Sequence, residues 1–120
     1  MRELVVRQAR LRIPHGGDER APGAAVTVEL CGHWEHQPPC AIPHHTAVEP
    51  LKDGLVRVRV VASVPAGDDE VIQSRIHDAL ARGRLDAPGD PTWEVMTDGP
   101  AAPTDDELAL GERLGRSAAT

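Results

Sequence analysis

The chain's softest metal ligands are crowded into one segment. It has two cysteines and six histidines in 120 residues, and Cys31, His33, His36, Cys40, His44 and His45 fall within fifteen of them. Thiolate and imidazole are the ligands zinc prefers, four at a time and tetrahedral, at about 2.0–2.3 Å. The spacing predicts a zinc site built from Cys31, His33, Cys40 and His44, with His45 as the substitute for His44. Copper is the other metal such ligands accept. Glu35 and His36 stand beside the set and are the candidates for moving protons.

Three functions fit these residues. In the first, four protein ligands close the site, the metal is structural, and the domain is a binding or accessory module. In the second, three ligands leave a position open, and a small metalloenzyme acts on an anionic small molecule held by Arg57 and Arg59. In the third, the same ligands serve a metal carrier or sensor. Whether the chain is an enzyme stays open at this level. Two competing readings need no metal. The histidines of a strand end and a proline loop can simply be solvated, or a disulfide can join Cys31 and Cys40.

The elements that must position these residues can be read from periodicity. Residues 5–13 partly alternate, with Val5, Ala9, Leu11 and Ile13 on one face and Arg7 interrupting it. Residues 14–24 read as a polar loop. A second strand is expected from about Ala25, with Val26, Val28, Leu30 and Trp34 facing the core and Cys31, His33 and Glu35 facing away. The three prolines of QPPCAIPHHT argue for a loop that folds ligands back onto that strand. A third strand is expected over residues 55–64, entered by the turn Lys52-Asp53-Gly54. Residues 69–82 switch to helical spacing, with Ile72, Ile76, Ala79 and Leu80 on one face, Asp68 as cap and Gly83 as stop. A short strand follows at 92–97, and Thr104 and Glu107 form a capping box that opens a last helix. The expected order is β-β-β-α-β-α in one α+β domain. It has a mostly antiparallel sheet of about four strands and two helices packed on one face. An exposed third-strand edge could pair in a homodimer.

Composition narrows the partners. Net charge is −6 with both signs mixed along the chain, which argues against a general nucleic-acid binder. Twelve of the thirteen basic residues are arginine, and the Arg, Ala, Gly and Pro content suits a GC-rich bacterial genome. No stretch approaches the roughly 20 apolar residues of a membrane span. The N-terminus has no run suited to export, so a cytoplasmic location and reduced thiols are expected. Arg10, Arg12, Arg57 and Arg59 could share a sheet face, either as an anion site or as a ladder of cross-strand ion pairs. The ladder is the preferred reading.

Overall fold

The computed structural model describes residues 1–32 and 42–118. The elements run β1 (Arg2–Arg12), α1 (Ala21–Cys31), β2 (His44–Pro50), β3 (Leu55–Pro65), α2 (Asp69–Ala81), β4 (Glu94–Pro100) and α3 (Asp105–Ala118). The α+β class and the single antiparallel sheet are as expected, but the order is not β-β-β-α-β-α. The segment read as the second strand is the helix α1, and the true second strand begins in the supposed proline loop.

Local chemistry explains the error. Val26, Val28 and Leu30 alternate like a strand, and valine is a weak helix former. The buried residues, however, are Ala21, Pro22, Ala25, Val26 and Leu30. The steps 21 to 25 and 22 to 26 to 30 are those of a helix face. Pro22 stands in the first turn, where a missing N–H costs nothing. Gly32 ends the helix at φ +89°, its N–H donating to the Val28 carbonyl. Pro43 precedes β2 and does not interrupt its ladder.

The sheet order is β2-β3-β1-β4, all antiparallel. Two β-α-β units interleave: β1-α1-β2 encloses β3, and β3-α2-β4 encloses β1. This is the ferredoxin-like arrangement, extended by a third helix. β3 is therefore interior, and the open edges are β2 and β4. The third-strand edge suggested for a dimer does not exist.

The main core lies between the sheet and the α1/α2 layer. Val5, Ala9 and Leu11 of β1, Val56, Val58, Val60, Ala62 and Val64 of β3, and Ile72, Ile76, Ala79 and Leu80 of α2 are all buried there. Trp93 closes one end, donating from Nε1 to the Leu80 carbonyl at 2.8 Å just where α2 stops at Gly83. Asp68 precedes α2 as expected but makes no side-chain cap; its carbonyl accepts the Ile72 N–H instead.

α3 lies on the opposite face, so the helices do not all pack on one side. There Val6, Val61 and Ser63 are also buried. Thr104 and Glu107 make the expected capping box, with Thr104 N–H on Glu107 Oε1 and Glu107 N–H on Thr104 Oγ1. Gly111 allows a close approach: a Cβ there would come 2.6 Å from Leu4 Cδ1. Among the described residues no helix is long and apolar enough to cross a membrane.

Candidate functional site

The predicted metal ligands are only partly brought together. His33, Glu35, His36 and Cys40 lie outside the described residues. Cys31 closes α1, and His44 opens β2 with its ring on the α1 side. The Cys31 Sγ is 3.9 Å from His44 Nδ1 and 4.0 Å from the Ile42 carbonyl oxygen. The two residues do meet, through a helix crossing a strand and not through a loop folding over a strand end.

Three observations overturn the metal-site reading. Among the described residues no group of three or more His, Cys, Asp or Glu side chains could hold a metal ion. Cys31 is not a free thiol, so its sulfur is no ready thiolate, contrary to the expectation of reduced cysteines. The His44 ring is engaged at both nitrogens, with Nδ1 3.0 Å from the Ile42 carbonyl and Nε2 2.9 Å from Thr27 Oγ1. His45 cannot substitute for it. Consecutive strand residues face opposite sides, and His45 is exposed on the far face.

The arginine face holds one cross-strand ion pair and one pair from sheet to helix among the described residues. Arg57 Nη1 donates to both Glu49 oxygens at 3.1 Å. Arg59 makes a bidentate pair with Glu107, Nε to Oε2 at 2.8 Å and Nη2 to Oε1 at 2.7 Å. It also donates to Gln8 Oε1 and the Ala102 carbonyl. The Arg59 hydrogen bonds pull the Glu107 carboxyl down to about 2, against the opposing effect of burial and with help from the Thr104 N–H. The same contact raises Arg59. Both anion candidates are thus committed to protein carboxylates. Glu29 is on α1 and pairs with Arg75 and Arg82.

A different constellation stands where α2 meets β4. Arg7 is the residue that broke the apolar face of β1, and it is 10% exposed. A guanidinium so placed needs an acid. Asp98, 7% exposed, supplies it: Arg7 Nε donates to Oδ1 at 2.6 Å. The other oxygen, Oδ2, is 2.6 Å from His77 Nδ1. Gln73, one turn before His77, accepts from Arg7 Nη1 at 3.1 Å and donates to the Val6 carbonyl at 3.1 Å. Arg7 Nη2 is 3.4 Å from the same His77 Nδ1, a longer contact than that to Asp98.

Facing a carboxylate, Nδ1 of His77 carries the ring proton, which leaves Nε2 as the acceptor of the neutral ring. His77 is half exposed, at 51%, while Asp98 is not. The ring forms part of the wall of an open cleft of about 500 Å³, shared with Ser74, Asp69, Glu70 and Pro100. A buried carboxylate orienting an imidazole whose second nitrogen stays available is the arrangement that general-base chemistry uses.

Neither His77 nor Asp98 stands out in the sequence as a site residue. One signal was present. Arg7 on an otherwise apolar strand face implied a buried acid from another element, and Gln73 with His77 form a polar pair beside the apolar stripe of Ile72 and Ile76. Which acid would answer Arg7 depended on β4 lying next to β1, and the sequence order hides that adjacency. Comparison with known protein families, with curated proteins and with solved structures finds no match.

Proposed function

We propose that the cleft between α2 and β4 is a small-molecule site in which His77 accepts and returns a proton. The observation that carries this reading is the 2.6 Å contact from His77 Nδ1 to a buried Asp98 that Arg7 holds from its other side. Arg7 fixes Asp98 in place, Asp98 sets the tautomer and the ring plane, and Nε2 meets the ligand. Asp69 and Glu70 border the cleft, and the Arg7 guanidinium is already engaged. A neutral or cationic polar molecule therefore suits the site better than the anionic one expected from the arginine face.

The ring tautomer and the place of binding test the reading together. Long-range ¹H–¹⁵N correlation at neutral pH should show the Nδ1–H tautomer at His77. Screening small amines and polyols by amide shifts should move Ser74, His77 and their neighbours, and His77→Ala should remove the response. An Nε2–H tautomer, or responses that survive His77→Ala unchanged, would sink the proposal.

A further inference from the structure

The two sheet edges differ in what they offer to another chain. The β4 edge is irregular: its register against β1 shifts between Arg10 and Leu11, and it ends in Pro100, which has no N–H to donate. β2 pairs with β3 in unbroken register from His44 to Pro50. The Ser63 N–H donates to the Pro43 carbonyl at 2.9 Å, which fixes the phase of that ladder. Hydrogen-bonded and non-hydrogen-bonded pairs alternate in an antiparallel ladder. His45, Ala47 and Glu49 therefore exchange bonds with β3, while Thr46 and Val48 turn their N–H and C=O groups to the open side. Among the described residues those outward groups have no backbone partner.

We propose that this edge joins a second copy of the same chain, with the two β2 strands antiparallel about a two-fold axis at Ala47. Hydrogen bonding selects that register, from the backbone and from the His45 imidazole to the Glu49 carboxylate. It sets Thr46 opposite Val48 of the second copy, which makes four backbone hydrogen bonds across the axis. It sets His45 opposite Glu49 of the second copy in a narrow, non-hydrogen-bonded pair, where side chains approach most closely. Glu49 has capacity for this second contact, because its side chain is 63% exposed even while it accepts from Arg57. A register centred on Thr46 places His45 against Ala47 and loses the His45–Glu49 contact. One centred on Val48 sets Glu49 against Ala47 and loses it too. The product is a continuous eight-stranded sheet in which Arg57, Glu49 and His45 alternate across the junction. This inference is independent of the cleft beside β4, which lies at the far edge of the sheet.

Sedimentation velocity of the full chain across a range of concentrations tests it. The unaltered protein should show a monomer–dimer equilibrium. Ala47→Lys sets two ammonium groups against each other on the axis and should raise the dimer dissociation constant at least tenfold. His45→Glu should weaken the dimer similarly by facing Glu49, and His45→Lys should leave it intact. Both sites are exposed, and circular dichroism should show the fold retained. The narrow pair brings Cα atoms to about 4.5 Å, within disulfide reach, so Ala47→Cys should cross-link to itself on oxidation. A protein that stays monomeric at the highest concentration, or a dimer indifferent to both Ala47→Lys and His45→Glu, overturns the proposal.

Discussion

Arg7 and Arg59 lie on neighbouring strands, point to opposite faces of the sheet, and each grips a carboxylate delivered by a later element. Their surroundings differ in one respect. Glu107 is closed on every side: Arg59 holds both its oxygens, and the Thr104 N–H takes a further share. Asp98 is shared between Arg7 and an imidazole that itself reaches solvent. The first cluster ends in protein and the second ends in a ring with a nitrogen to spare. The same pairing of strand arginine and distant acid can thus be a rivet or the base of a reactive group. The last residue in the chain of contacts decides which.

This contrast predicts that damage to the first cluster shows in stability and damage to the second shows in binding. The largest loss should follow Glu107→Ala. It leaves a largely buried guanidinium unpaired and removes half of the capping box, costing about 3 kcal/mol and lowering Tm by roughly 10 °C. Chemical denaturation would check this, and a loss below about 1 kcal/mol would show that α3 is not held by this pair.

Acid should dissect the same cluster. Glu107 titrates at about 2 when folded, below its ordinary value, so its stabilisation is complete above about pH 4.5 and is lost as pH falls toward 2. The contribution is on the order of 2 kcal/mol once partial exposure is allowed for. Urea midpoints for the parent and Glu107→Gln should converge as pH falls through that window. Parallel curves would contradict the assignment.

Asp98→Asn should cost less, about 1–2 kcal/mol, because an amide still bonds Arg7 while the charge is lost. Its clearer mark should be a change of the His77 ring from the Nδ1–H to the Nε2–H tautomer. A ring unchanged in Asp98→Asn would mean that the carboxylate does not orient it. The smallest stability effect should be that of His77→Ala, within about 0.5 kcal/mol for a half-exposed side chain. Loss of ligand responses without loss of fold would sharpen the contrast, whereas a large drop in Tm would make His77 a rivet like Glu107.

The sequence disclosed these regions unequally. α2, its stop at Gly83 and the capping box of α3 were all legible, because each is encoded within a few neighbouring residues. β1 and β3 were legible from alternation. α1 was not, since Val26, Val28 and Leu30 follow the strand period as well as they follow a helix, and only packing against α2 and β2 decides between them. That one substitution of helix for strand displaced Cys31 from an outward sheet face to a helix end and took the supposed metal site with it. Of the expected cross-strand ladder only Arg57–Glu49 is found, and Arg59 reaches a helix instead. Asp98 was hidden because its neighbours belong to β1 and α2, elements remote in the chain.

The place of β1 at the centre of the sheet bears on how the protein assembles. It is made first, yet its partners come last: Arg12 must find Leu55, and Arg7 must find Pro100. Until they emerge, Val5, Val6 and Leu11 have no neighbours to bury against. The hairpin of β2 and β3 is joined by a short turn and can close early, as can α2, whereas β1 must wait for long loops to close. Pulse-labelled amide exchange during refolding should therefore protect the hairpin and α2 before β1. The earliest of the sheet's four strands in the chain would be the last to be seated, inserted between two partners as the keystone of the sheet.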